Sequence, residues 1–248
     1  MQRDKKHEKE KQYVIVFSAD FIISAALASL QKTKGRTSIK IVDNPDELLC
    51  AIIIMKPLQV ILDIPARDYT YLLCAIRREF PVLPLIITRY RHLFSDYITA
   101  SWFGNIWLRE YDALMSGYPG VAPTDCVTDS RFAGVEGASA CRGYCNDRTD
   151  GSQILRSLRG WLGLRLRLRL SSRQGVKVIM NWLELGGSAG DVGKRMKRSD
   201  KLAYHYRRLL MKELNLRNTA LEFIPSIAVK GGNIPTECAS TCLLRINK

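Results

Sequence analysis

No uninterrupted apolar run in this chain of 248 residues reaches the roughly 20 residues that a helix needs to cross a bilayer. No membrane partner is therefore expected. The N-terminal MQRDKKHEKEKQ is charged but leads into only a short apolar segment, unlike a signal peptide, which places the protein in the cytoplasm. Histidine is scarce, and His7, His92 and His205 stand far apart. With no glycine-rich phosphate loop, no Ser-His-Asp order and no metal-spaced histidine set, we expect no enzyme and no cofactor. The seven cysteines (Cys50, Cys74, Cys126, Cys141, Cys145, Cys238 and Cys242) are an odd number spread over the whole length, which is not a disulfide framework. The CxxxC pairs Cys141/Cys145 and Cys238/Cys242 lack the two-residue spacing common at zinc sites. Reduced thiols without a metal are expected.

Acidic residues run short in one half only. From Gln153 onward 19 Lys/Arg stand against 6 Asp/Glu, which accounts for +13 of the net +14. The first 152 residues are close to neutral. A near-neutral half joined to a strongly basic one is the footprint of a sensing or pairing domain plus a nucleic-acid-binding domain. A basic surface that merely aids solubility is the plainer alternative.

In the neutral half, Tyr13–Phe17, Ser38–Val42, Val60–Ile64, Leu83–Thr88 and Ile106–Leu108 read as strands, several of them continuous apolar runs. Between them, Asp20–Leu30, Asp43–Lys56, Tyr69–Phe80 and Leu93–Phe103 have helical spacing, with Asp43 or Asn44 as a cap. Strands alternating with helices predict a parallel sheet covered on both faces, with its working crevice beyond the carboxyl ends of the strands. Ser18, Ala19, Asp20, Asp63, Thr88 and Arg109 fall at those ends.

From about residue 13 to 115 these residues resemble the receiver domain of two-component response regulators. The resemblance puts Asp63, after PLQVIL, in the phosphoacceptor position and Thr88, closing LIIT, in that of the switch hydroxyl. Arg109 stands where the family has a lysine. Ser18 and Ala19 occupy the slots of the acidic pair that holds Mg²⁺, with Asp20 one residue further on. Mg²⁺ wants carboxylate ligands, and the planar fork of arginine does not replace a compact ammonium. The expectation is a degenerate receiver that runs no phosphorylation switch, with Asp63 paired to Arg109. A conventional phosphorylated regulator using Asp63 is the alternative.

Residues 116–152 are rich in Gly, Ser, Ala, Asp, Thr and Pro and hold no apolar period, as a linker does. The strict Leu/Arg alternation of Leu164–Leu170 has period two and predicts a strand, which could lie on a DNA backbone or on anionic lipid. Arg173–Leu185 then reads as a helix stopped by Gly186-Gly187, Ser188–Met196 as a second, and the segment capped near Ser199 as a third. Asn218 or Thr219 opens a fourth, through about Ala228. Lys197, Ser199, Lys201, Tyr204, His205, Arg207, Arg208 and Lys212 are the candidate DNA contacts, because a helix pair with one apolar side and cations on the other suits a major groove. Packing for Tyr204 and a solvated surface for the cations are the plain alternatives.

Val192, Met196, Ser199, Lys201, Ala203, Leu210, Met211, Leu214, Arg217, Asn218 and Ala220 follow in order the pattern of the LuxR/FixJ-type helix-turn-helix, which this segment resembles. The expected fold is an α/β receiver-like parallel sheet domain followed by an all-α helix-turn-helix domain. The expected boundaries are a charged leader (1–12), a receiver-like domain (13–115), a linker (116–169), the DNA-binding domain (170–230) and a tail (231–248). The resemblance implies a regulator of transcription on double-stranded promoter DNA, as a homodimer or as a heterodimer with another response regulator. A non-catalytic adaptor that binds membrane or protein is the reading from a different class.

Overall fold

The computed structural model describes residues 12–32, 38–116, 151–170 and 172–213. The leader, residues 117–150, the expected fourth helix, the tail and both CxxxC pairs lie outside the described residues. Five parallel strands form one sheet: β1 (Tyr13–Phe17), β2 (Ser38–Val42), β3 (Gln59–Leu62), β4 (Leu85–Arg89) and β5 (Ile106–Glu110), in the order β2-β1-β3-β4-β5. Between and after them run α1 (Phe21–Lys32), α2 (Pro45–Met55), α3 (Thr70–Glu79), α4 (Phe94–Phe103) and the short α5 (Tyr111–Ser116).

Strand alternation divides the core. Val14, Val16, Ile61 and Ile86 pack with Leu27 of α1 on one side, while Ile15, Phe17, Val60, Leu62, Leu85 and Ile87 turn to the other. Both faces of the central strands β1, β3 and β4 are buried, so these run almost wholly apolar. Local chemistry sets the helix ends. Asn44 caps α2 by accepting from the Glu47 amide at 2.8 Å, with Pro45 behind it, and Lys56 ends the helix in left-handed backbone. At the amino ends of β4 and β5, the buried Arg77 of α3 donates to the carbonyls of Leu83 at 2.7 Å and Asn105 at 2.8 Å. Those two carbonyls belong to different connections, so one side chain ties both.

The basic half is helical wherever it is described: α6 (Gly151–Arg169), α7 (Arg173–Leu185), α8 (Ala189–Met196) and α9 (Asp200–Glu213). The strand expected for Leu164–Leu170 is corrected, since α6 runs through it. Residues four apart lie on one helical face, so Leu/Arg alternation puts Leu166 and Leu170 on the same side as Ile154, Leu158 and Leu162. All five are buried, while Leu164 and Leu168 are exposed. The period of two is a by-product of a period near four. The buried ridge of α6 belongs to the same core as the α4 side of the sheet and the inner faces of α7 to α9.

A second correction concerns the thiols. Cys74 is a buried thiol outside any disulfide, but Cys50 on α2 is disulfide-bonded, against the expectation of reduced cysteines throughout. Pairing is decided by the distance between Cβ atoms, on which an odd count of cysteines is silent.

Two glycines separate packing from propensity. A Cβ on Gly193 of α8 would stand 2.8 Å from the Asp200 carboxylate and 2.9 Å from the Arg198 carbonyl, whereas one on Gly163 of α6 would meet nothing within 4 Å. Gly193→Ala should therefore destabilise the fold by about 1–3 kcal/mol, and Gly163→Ala should stabilise it by about 0.5–1 kcal/mol. Urea unfolding followed by tryptophan fluorescence reads both, and two changes of the same sign would refute the close contact at Gly193.

Candidate functional sites

The strand order reverses between β1 and β3, and beyond their carboxyl ends lies the crevice where open parallel sheets place their chemistry. Asp63 stands there, directly after β3, its amide held at 2.8 Å by the carbonyl of Phe17. Its carboxylate is buried and fully engaged. The Ser18 hydroxyl donates to one oxygen at 2.7 Å, the Tyr111 hydroxyl donates to the other, and the Arg89 guanidinium lies 3.6 Å from that second oxygen. Burial and the bond to Asp63 push the Tyr111 phenol well above the ordinary tyrosine range, so it stays a donor.

The ion pair seen at Asp63 is thus with Arg89, the last residue of β4, where Arg109 was expected. Arg109 sits near the end of β5 in register with Thr88. Thr88 is buried, and its hydroxyl finds no hydrogen-bond partner among the described residues. Neither Tyr111 nor Arg89 was singled out from the sequence. Arg89 was within reach, since it follows Thr88 at a strand end, while Tyr111 follows the last strand and carries no motif.

The receiver fold implies a Mg²⁺ beside this carboxylate, and the residues present do not fit one. The Ser18 oxygen is taken by Asp63 and by the amide of Asp20 at 3.0 Å. The Asp20 carboxylate is drawn off to the amino end of α1, where it accepts from Ile22 at 2.8 Å and Ile23 at 3.3 Å. Ala19 offers nothing. The engaged Asp63 carboxylate and the second oxygen of Asp20 are what remain, where a hard cation needs several ligands.

Beside the crevice, Asp96 at the start of α4 is wholly buried and accepts from the Arg67 side chain at 2.9 Å, the Arg67 amide at 3.1 Å and the Leu93 amide at 2.9 Å. The pair joins the β3–α3 loop to α4. Next to it His92 is buried, with Nε2 3.1 Å from the Arg109 carbonyl. A carbonyl cannot donate, so Nε2 carries the proton and Nδ1 is the free lone pair. Burial lowers the His92 pKa from 6.5, against the opposing pull of the Arg109 carbonyl and the charges of Asp96 and Glu110. The unfolded state then binds more protons, so stability rises with pH across this range. His92 should contribute stability that is complete above about pH 6.5 and falls away as pH drops toward the lower folded value. Melts of wild type and His92→Asn from pH 5.5 to 8 check this: their difference should shrink on acidification, and a constant gap would refute it.

The second site is the α8–α9 pair. Ser188 caps α8 through a box with Asp191, whose carboxylate accepts from the Ser188 amide and hydroxyl at 2.8 Å and is held below the usual carboxylate range by those bonds. Arg195 of α8 donates to Asn181 at 3.0 Å and to the Gly186 carbonyl at 2.6 Å, which fastens α8 to the end of α7. Lys197 ends α8 in left-handed backbone, and Arg198 and Ser199 complete a three-residue turn into α9.

On α9, Ala203 is buried against the module, and Tyr206 packs over Gly175 of α7 with its hydroxyl 3.1 Å from that of Ser172. Lys201, Tyr204, His205, Arg208 and Lys212 are exposed in a row at helical spacing, with Lys197 and Ser199 exposed in the turn before them. Arg207 differs from the other candidate contacts. Its guanidinium lies 4.8 Å from the centre of the Trp182 ring, inside the module. Among the described residues no ion pair involves Lys197, Lys201, Arg208 or Lys212.

No family model matches the chain, and no curated protein is significantly similar to it. Solved structures do match. A structure of two RcsB dimers bound to two parallel DNAs is 15% identical, with a TM-score of 0.53, and covers 88% of this chain and 100% of that one. A complex of the two-component response regulator RcsB with DNA is 16% identical, with the same TM-score and coverage. Full-length FixJ from B. japonicum is 13% identical and covers 94% and 98%, at a TM-score of 0.37 too low to argue from. The five-stranded parallel sheet and the helical module that follows it are the fold of a response regulator: a receiver-like α/β domain and an all-α helix-turn-helix domain.

Proposed function

We propose that the chain regulates transcription by reading promoter DNA with α9, through a helix-turn-helix of the LuxR/FixJ type. The observation that carries the proposal is the exposed row Lys201, Tyr204, His205, Arg208 and Lys212, backed by Lys197 and Ser199 at the turn. Their cations answer to no acid among the described residues, so they are available to neutralise phosphates, while Tyr204 and His205 stand where base edges would be reached. Arg207 serves a different role, as part of the packing against Trp182. Single modules of this size hold DNA weakly, and two half-sites raise affinity through effective concentration, which favours a homodimer or a heterodimer with a second response regulator. The RcsB structures, dimers on DNA, are consistent with that arrangement.

Fluorescence anisotropy on a promoter-fragment library, with a salt titration, tests the reading. A few fragments should stand well above background. Lys201→Ala/His205→Ala should lose that selectivity, and Lys212→Ala should weaken all fragments alike and reduce the salt slope by about 0.9. Binding that ignores both sequence and these variants would refute it.

The receiver-like domain, on this proposal, runs no phosphoryl switch. Asp63 is already held by Ser18, Tyr111 and Arg89, and the crevice lacks the carboxylates that would seat Mg²⁺. Incubation with acetyl phosphate and Mg²⁺ should leave the protein unlabelled by intact-mass measurement. Labelling that disappears in Asp63→Asn would instead establish the conventional regulator.

A further inference from the structure

Helices α6 and α7 enclose an open groove of about 690 Å³ away from the residues assigned to DNA. Each helix lines it across a nine-residue span, Arg159–Arg167 on one side and Val176–Glu184 on the other, which is about 12 Å of helix apiece. Gly160, Gly163 and Leu164 from α6 and Val176 and Met180 from α7 give it an apolar or bare strip, beside which Asn181 is engaged by Arg195 at 3.0 Å. Arg159, Arg167 and Lys177 form the rim, and the acid present, Glu184, is paired with Arg159 at 3.5 Å.

The glycines are the informative part. Each costs a helix interior about 1 kcal/mol relative to alanine. Among the described residues nothing requires them, since a Cβ at either position would meet no atom within 4 Å. What they do is keep the groove open and let a third helix axis approach toward the short end of the usual 8–10 Å. Leu164 meanwhile stays 58% exposed at the groove edge.

We infer that this groove docks an acidic amphipathic helix of a partner protein. Its leucines or isoleucines, four residues apart, would cover Leu164 and Met180, and its flanking carboxylates would meet Arg167 and Lys177. The chemistry selects among occupants. A DNA backbone has no use for an apolar floor between the cations. A lipid surface is met by a broad convex apolar face, whereas α6 leaves Leu164 and Leu168 outward and buries the ridge of Ile154, Leu158, Leu162, Leu166 and Leu170 in the core. An acidic helix satisfies floor and rim together. The inference stands apart from DNA reading, because none of its residues lies on α8 or α9.

The test uses the full-length chain and a fluorescein-labelled, lactam-stapled helical peptide of about 15 residues, roughly 22 Å long, with leucines four apart flanked by glutamates. Saturable binding is expected, weakened at least about tenfold, or 1.4 kcal/mol, by Gly163→Trp, which fills the groove, and equally by Arg167→Glu/Lys177→Glu. The thermal midpoint of Gly163→Trp should stay near that of wild type; if it falls, the charge-reversal variant decides. Absence of saturable binding, unchanged binding by either variant, or equal binding of a scrambled peptide of the same charge would overturn the inference. So would tight binding to phosphatidylglycerol vesicles that the peptide fails to displace.

Discussion

The buried ridge of α6, formed by Ile154, Leu158, Leu162, Leu166 and Leu170, is the constraint on which the arrangement of this molecule depends. Full burial of such side chains contributes about 1.5–3 kcal/mol each as an upper estimate. The ridge contacts α4 on one side and α7 on the other, so the core of the sheet domain and the core of the helical module are one. A flexible tether would leave α8 and α9 free to take any orientation. A packed helix fixes them relative to α4, and any change in the seat of α4 reaches α7 through close-packed side chains.

That makes the amino end of α4 consequential. Asp96 and Arg67 pin it to the loop that follows Asp63, and His92, next to it, holds the last turn of β5 through the Arg109 carbonyl. Removal of either member of a buried pair leaves a bare charge and is strongly destabilising. The crevice is thus held by side-chain bonds within the chain: Ser18, Tyr111 and Arg89 together answer both oxygens of the Asp63 carboxylate.

Much of this was legible in the residues. Apolar runs, alternating in Ser38–Val42, marked all five strands, and Asn44, Ser188 and Gly186 marked helix ends by well-understood hydrogen bonding. The carboxyl ends of the strands located Asp63, Thr88 and Ser18 in one crevice, because that follows from topology alone. What sequence left hidden depends on three-dimensional approach. The partner of Asp63 is Arg89 because the end of β4 lies beside β3, a fact of register. The α6 helix was misjudged because alternation satisfies a period of two and, sampled at every second leucine, a period of four. Only the distant Ile154, Leu158 and Leu162 break the tie, and they precede the repeat.

The same distinction governs the charge. A net +14 suggests a uniformly cationic surface, yet the basic residues divide into those whose charge is used internally and those that are not. Arg77 serves four carbonyls at the floor of the sheet, Arg195 ties α8 to α7, and Arg207 lies on Trp182. Arginine suits these places because its planar fork makes several directed contacts at once and stacks on aromatic rings. Lysine predominates in what remains outward on the turn and on α9, at positions 197, 201 and 212, as a hydrated point charge on a long stem. Such charges contribute little to the fold and are poorly used by it. Concentrated along one exposed face, they create the local positive potential that draws a polyanion and gives way to salt. Several arginines of the basic half thus serve its packing, while Lys197, Lys201, Arg208 and Lys212 stay on its surface.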